Sequence, residues 1–378
     1  MLGAEKEMFI PYLFKNKKYV ISKRNYLCDY SKVKHSKIDM TLSGKFLAVR
    51  EKFSVSDNEF DTYPSNIQIK KLKDIIRKDV RNSGKIILGS GANGILQNIV
   101  KILFKEKGNL VTPFYTFEQV EFAVTSFGGC TKRVYTRDYN IDFENLKKAI
   151  DKKTKMIYIC NPNNPTGIYV DSNVILNFAK SVKIPVVVDE SGIEFANKTS
   201  LLDYCTLPKN LIVVRSFSKA YGIANLRVGY FVCNDDFEKE YMKNVTTNEI
   251  SGISYEIAIE LLKRRKHETL ENIDCIINER KKLVKQINEL GIECTESDSN
   301  IVMTKTPFNE NFFGQLKKYE ISIVKVYDEF GKIHMRIAIQ NEKTNKEFIR
   351  TLSTIMSNCN NIKWKRGKNE NIISHKFW

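Results

Sequence analysis

The sequence predicts an α/β fold in three layers, a mostly parallel sheet with helices on both faces, joined to a smaller α+β domain at the C-terminus. Three observations predict it. Between residues 85 and 232, short apolar runs alternate with stretches of helical spacing. That is the pattern of strands buried on both faces and linked by crossover helices. Polar residues of distinctive type stand directly after those runs, where an open parallel sheet binds its ligand. Beyond about residue 250 the rhythm changes to long charged helical stretches and isolated strand-like runs.

Residues 1–60 form an N-terminal segment expected to pack on the small domain, with short strands at Met8-Phe9-Ile10 and Tyr19-Val20-Ile21. Residues 61–250 make the large domain. It opens on a helix over Ile67–Val80, where Ile69, Leu72, Ile75 and Ile76 fall on one face. Its strands are Lys85–Leu88, Asn109–Val111, Met156–Ile159, Val186–Val188, Leu211–Val214 and Tyr230–Val232, with helices such as Gly94–Phe104 and Val174–Ser181 between them. Residues 251–378 make the small domain. A helical stretch runs from Ser254 through Leu290 with a break near Lys266-His267. Strands follow at Asn300–Met303, Ile321–Val324 and His334–Ile339, and a helix at Asn345–Met356.

Composition sets the bounds. A chain of 378 residues suits two domains, and 42 % hydrophobic residues are enough for a full core. No signal-peptide pattern and no apolar run near the ~18 residues of a membrane span are visible, so the expectation is a cytoplasmic protein with no membrane partner. The eight cysteines are scattered without a Cys-x-x-Cys pair, which predicts free, mostly buried thiols rather than disulfides. The four histidines lie far apart, without metal-site spacing. A net charge of +17 suits either nucleic acid or an anionic small molecule. The second is the plainer reading for a lysine-rich chain, and the basic stretch Lys363–Lys368 is expected to be a solvated tail.

Five polar stretches follow five of the strands. They are Gly89-Ser90-Gly91-Ala92-Asn93, Thr112–Phe117, Asn161–Gly167, Asp189-Glu190-Ser191 and Ser216-Phe217-Ser218-Lys219. All would gather at one crevice. The small residues around Gly91 let helix-start N–H groups approach an anion, though a plain turn has the same composition. Ser216 and Ser218 add hydroxyl donors, and Arg227 a bidentate cation suited to phosphate. Asp189 is either a helix cap or the partner of a buried cation. Lys219, behind two serines and near other cations, has reason to lose its proton and form an imine; a surface lysine would read the same. Asn161-Pro162-Asn163-Asn164-Pro165-Thr166-Gly167 reads as a tight turn, and its rigidity would fix Asn164 as a donor toward a phenolate oxygen.

In order and spacing, Asn161–Gly167, Val186–Glu190, Ser216–Lys219 and Leu226-Arg227-Val228-Gly229-Tyr230 resemble the fold-type I pyridoxal-phosphate aminotransferases of class I/II, over about residues 60–345. Asp61-Thr62-Tyr63-Pro64 before a helix, the stretch Ser216–Gly222, and His334–Ile339 are most similar to the histidinol-phosphate aminotransferase and threonine-phosphate decarboxylase branch. The resemblance implies an aspartate-aminotransferase-like large domain, pyridoxal 5'-phosphate as cofactor, and a homodimer. By the same resemblance, Lys219 carries the cofactor as an imine and moves the substrate α-proton. Asp189 pairs with the protonated pyridine nitrogen, and Asn164 bonds the ring 3-oxygen. Gly91, Ala92, Asn93, Ser216, Ser218 and Arg227 hold the phosphate, which Tyr63 reaches from the partner subunit. Phe117 stacks on the ring, with Tyr115 the alternative one register away, and Arg336 binds the substrate carboxylate or another anion.

Two stretches depart from the pattern. Where the family often has Asp-Glu-Ala-Tyr, this chain has Asp189-Glu190-Ser191-Gly192. Gly192 cannot donate to the 3-oxygen, which predicts a different imine pKa and more space beside the ring. The family's Asn-Glu-Asn-Pro-like segment is replaced by Asp39–Phe46. Lys45 and Arg50 there suit a phosphorylated substrate, or are exposed cations of a basic protein, the plainer reading. The preferred activity is transfer of an amino group between a small amino acid and a keto compound, phosphorylated or not. The alternative is decarboxylation of a phosphorylated amino acid of the threonine-phosphate or serine-phosphate type. A DNA-binding regulator is disfavoured, because the roughly 60 residues ahead of the shared region carry no helix-turn-helix pattern.

Overall fold

The computed structural model describes residues 19–22, 28–29, 36–41, 61–245, 248–264 and 266–366. Three N-terminal strands come first: β1 (Tyr19–Ser22), β2 (Cys28–Asp29) and β3 (Ile38–Asp39). The large domain continues with α1 (Asn66–Asp79), β4 (Lys85–Ser90), α2 (Gly91–Leu103), β5 (Asn109–Pro113), α3 (Gln119–Ser126), β6 (Cys130–Val134) and α4 (Phe143–Ala149). It is completed by β7 (Thr154–Cys160), α5 (Ser172–Lys180), β8 (Val186–Asp189), β9 (Leu211–Ser216), β10 (Val228–Cys233) and α6 (Asp235–Asn244). Then come α7 (Gly252–Arg264), α8 (Lys266–Glu289), β11 (Ile301–Met303), α9 (Glu310–Lys318), β12 (Ile321–Ser322), β13 (Val324–Tyr327), β14 (Ile333–Ala338) and α10 (Glu342–Arg366).

The large sheet has the order β1-β6-β5-β7-β8-β9-β10-β4. Strands β6, β5, β7, β8 and β9 are parallel neighbours, β10 runs antiparallel between β9 and β4, and β1 is an antiparallel edge. Successive residues of a strand face opposite sides, so strands that are apolar throughout need cover on both faces. Leu110, Met156, Tyr158, Val187, Ile212 and Val214 pack with residues of α2, α3 and α6. Their neighbours Val111, Ile157, Val186, Val188 and Val213 pack with residues of α1, α5 and α7 on the other side. These two cores make the three layers. A third core, built around Ile276, Leu283, Met335, Ile337 and Phe348, holds the small domain.

Several boundaries differ from the sequence expectation, each for a local reason. Helix α2 begins at Gly91 rather than Gly94. Strand β6 and helix α4 were not anticipated. The strand reads Cys-Thr-Lys-Arg-Val, and its buried Lys132 and Arg133 are paired with Asp151 and Glu121. Ile321–Val324 is not one strand: β12 pairs with β3, while β13 pairs with β14 and β2. The N-terminal segment does not serve the small domain alone, because β1 extends the large sheet. Helix α7 also packs on α1, with Tyr255, Ile259 and Leu262 in the large-domain core. Helix α10 runs past Met356 into the basic stretch, as far as Arg366. Met8-Phe9-Ile10, Lys45, Arg50, Gly367 and Lys368 lie outside the described residues.

Cys160, Cys233 and Cys294 are buried free thiols and Cys130 is half-buried, but Cys205 and Cys275 are free and exposed. Among the described residues, no helix is long and apolar enough to cross a membrane, and no His/Cys/Asp/Glu group is placed to hold a metal.

Candidate active site

The parallel strands deliver their C-terminal ends to one cavity of about 440 Å³ between the domains. Ala92, Asn93, Phe117, Asn164, Asp189, Ser216, Ser218, Lys219, Arg227 and Arg336 all line it. So do Thr41, Gln119, Cys160 and Ser191, which the sequence reading did not single out. Tyr63 is not among them; it stands 85 % exposed ahead of α1. Tyr115 is not either. It is buried, and its phenol donates to Glu329 at 3.1 Å. In this loop it is Phe117, not Tyr115, that lines the cavity.

One end of the cavity gathers donors that could hold an anion. Ser90, the N-cap of α2, makes no side-chain cap bond, so the first N–H groups of that helix are left for another acceptor. Gly91 has φ +65°, and a Cβ there would lie 2.5 Å from Arg227 Nη2. Only glycine allows that approach. Arg227 is itself left-handed, with φ 53°. Its Nη1 donates to Ala224 O at 3.0 Å and to Ser218 Oγ at 3.4 Å, and Ser218 N donates to Ser216 Oγ at 3.1 Å.

The centre holds a buried carboxylate. Asp189 is 3 % exposed. Tyr158 Oη donates to its Oδ2 at 3.0 Å, and Ser191 donates to Oδ1 through both N, at 2.9 Å, and Oγ. Burial, with Asp189 alongside, pushes the Cys160 thiol up to about 12. The Asn161–Gly167 turn is both a structural turn and a site. Asn161 bonds Val170, and Asn163 bonds Tyr115 O and Thr166. Asn164 alone of the three lines the cavity, and its buried Oδ1 has no partner among the described residues.

The far end belongs to the small domain. Arg336, 3 % exposed on β14, donates to Thr41 O. Thr41 in turn donates to Asp39 Oδ1 from N at 3.0 Å and from Oγ1 at 2.6 Å. At Gly192 a Cβ would stand 4.0 Å from Lys219 Nζ and 3.7 Å from Ser299 Oγ. The absent side chain would therefore have pointed beside the lysine.

This geometry agrees with the comparisons to known proteins. The model of the aminotransferase class I and II family matches residues 41–352. The chain belongs to this family. A histidinol-phosphate aminotransferase of Caldanaerobacter subterraneus subsp. tengcongensis is 31 % identical over 301 residues, covering 78 % of this chain and 84 % of the relative. The crystal structure of the histidinol-phosphate aminotransferase from Clostridium acetobutylicum superposes with a TM-score of 0.74 at 22 % identity, covering 85 % of this chain and 99 % of that one. An L-threonine-O-3-phosphate decarboxylase from Porphyromonas gingivalis superposes with a TM-score of 0.66 at 21 % identity, over the same shares of 85 % and 99 %. At those identities the likeness shows the fold. As a fold-type I member of the class I and II aminotransferases, the chain belongs to a pyridoxal-phosphate-dependent enzyme family.

Proposed function

We propose that the chain is an aminotransferase that uses pyridoxal 5'-phosphate to move an amino group between a small amino acid and a keto compound. The observation that carries this reading is one cavity lined by the Lys219 amine, the Asp189 carboxylate and the Arg227 guanidinium. The residues fit the cofactor. The uncapped start of α2, Ser216, Ser218 and Arg227 suit its phosphate, and Asn164, which lines the cavity, has an amide N–H that would suit the ring 3-oxygen. Asp189 has no ion pair among the described residues, so a pyridinium would find a carboxylate not already neutralised. Phe117 offers a flat apolar face to the ring.

When bound, the cofactor supplies an electron sink for charge that develops at the substrate α-carbon. The chain supplies the rest. Lys219 would hold the cofactor through its Nζ; once freed by the incoming substrate amine, the same Nζ would take the proton from the substrate α-carbon and deliver it to the cofactor carbon that had carried the imine. Arg336 binds the substrate carboxylate by a charge-assisted pair.

Exposed Tyr63 and Ile67, at 85 % and 78 %, leave an aromatic and an aliphatic side chain uncovered at the start of α1. That supports a homodimer in which Tyr63 reaches the partner's phosphate end. Phosphorylated amines are the first substrates to try, because the relative at 31 % identity is named for histidinol phosphate. Decarboxylation is the second reading, favoured by the space at Gly192.

A half-reaction tests the choice. The cofactor-loaded enzyme is mixed with single amino acids and phosphorylated amines while absorbance and released carbon dioxide are followed. Conversion to the pyridoxamine-phosphate spectrum without carbon dioxide is expected. Carbon dioxide with the starting spectrum regained would replace the proposal by its alternative.

A further inference from the structure

Asp189 stands at the end of β8, where β7 pairs Cys160 with it across the sheet. An ionised carboxylate offers about four acceptor positions, two on each oxygen. On Oδ1 both are filled, by Ser191 N and Ser191 Oγ. On Oδ2 one is filled, by Tyr158 Oη at 3.0 Å. Among the described residues, the single open position is therefore on Oδ2, next to the tyrosine hydroxyl. Tyr158 is fully buried in the core beside α2. Burial and the neighbouring carboxylate raise its phenol well above the ordinary value, so it stays protonated and stays a donor. Ser191 lines the cavity itself.

We propose that Tyr158 and Ser191 are positioning residues that aim the one open acceptor site of Asp189, on Oδ2, at the ring nitrogen of pyridoxal phosphate. Ser191 occupies Oδ1 and removes it from competition. Tyr158 shares Oδ2 and stops the carboxylate from turning. The inference rests on the reading of this cavity as the pyridoxal-phosphate site. Partners that orient a directly binding group commonly contribute a factor of about 10–100 in affinity, and Tyr158, on the bonding oxygen, should matter more than the Ser191 hydroxyl.

The test uses the full chain stripped of cofactor, as parent, Tyr158→Phe, Ser191→Ala and Asp189→Asn. Each is titrated with pyridoxal phosphate, and with an analogue whose ring nitrogen is replaced by C–H. The expected result is a Kd for pyridoxal phosphate about tenfold weaker in Tyr158→Phe and raised less in Ser191→Ala. For the analogue the variants and the parent should bind alike. Equal weakening toward both compounds would mean that the two residues only maintain the fold, and would overturn the proposal. So would parent-like binding of pyridoxal phosphate by both variants while Asp189→Asn binds it weakly; the cofactor reading would then still stand. Parent-like binding by Asp189→Asn would instead sink that reading and the inference with it. If Tyr158→Phe does not fold, Ser191→Ala decides by the same two titrations.

Discussion

The two faces of the large sheet each bury a carboxylate at the end of β8, and they treat it in opposite ways. Asp189 and Glu190 are consecutive, so their side chains leave the strand on opposite sides. On the side of α2, Asp189 accepts, among the described residues, from the neutral donors Tyr158 and Ser191. On the other side, Glu190 is fully buried and meets Arg215, whose Nη1 lies 3.5 Å from its Oε2. Arg215 Nη2 also reaches Glu194 Oε1 at 2.8 Å, and Ser200 Oγ and Leu201 N donate to Glu190 at 2.6 and 2.9 Å. Among the described residues one carboxylate has an ion-pair partner and the other has none. A buried charge without a counter-ion costs several kcal/mol, a cost that a cationic group of a ligand would offset. Asp189 is read as site and Glu190 as scaffold on that difference.

The sharpest break is on the site side. Lys219→Ala should lower turnover by on the order of 10³-fold or more and abolish the visible absorbance of the lysine-bound cofactor; a variant of parent activity would remove Lys219 from its role. Asp189→Asn should also cost on the order of 10²-fold or more in turnover, while thermal unfolding of the cofactor-free protein changes little. Steady-state kinetics beside a melting curve separates the two effects.

The mirror experiment is Arg215→Met. It leaves Glu190 and Glu194 without their cation, and a loss of about 3–5 kcal/mol in urea unfolding is expected. Burial raises Glu190 above the ordinary carboxylate range against the opposing pull of Arg215. Its stabilising contribution is therefore complete below the unfolded value of about 4.3 and is lost as the pH rises through the folded value. Without Arg215 that folded value climbs further. The deficit of the variant should then grow as the pH rises above the unfolded value of about 4.3, and a deficit that shrank would contradict the assignment. The smallest effect is at the far end. Arg336→Ala should weaken apparent substrate affinity about 10–100-fold, the worth of a hydrogen bond to a charged group, with the cofactor absorbance kept.

The same contrast explains what was legible in the sequence. The parallel strands were visible because burial on both faces makes them apolar throughout. The cavity was visible because Asp189, Asn164, Ser216–Lys219 and Arg227 each follow or precede such a run at recognisable spacing. Strand β6 was hidden because its buried Lys132 and Arg133 are neutralised by Asp151 and Glu121, partners that only the fold brings near. Tyr158 was hidden within the run Met156–Ile159, although a phenol in an otherwise aliphatic strand was a signal that could have been followed. Thr41 reaches the cavity through the pairing of β3 with β12, far away in the chain, and no local pattern encodes that. Gln119 and Ser191 were within two residues of residues already chosen, and each needed only the direction of its side chain.

The most direct measurement traps the cofactor on its lysine. The protein is loaded with pyridoxal phosphate, reduced with borohydride, digested and mapped by mass spectrometry. A phosphopyridoxyl group on the peptide containing Lys219, absent from Lys219→Ala, is the predicted result. A label on another lysine, or none at all, would contradict the placing of the cofactor between Lys219 and Asp189.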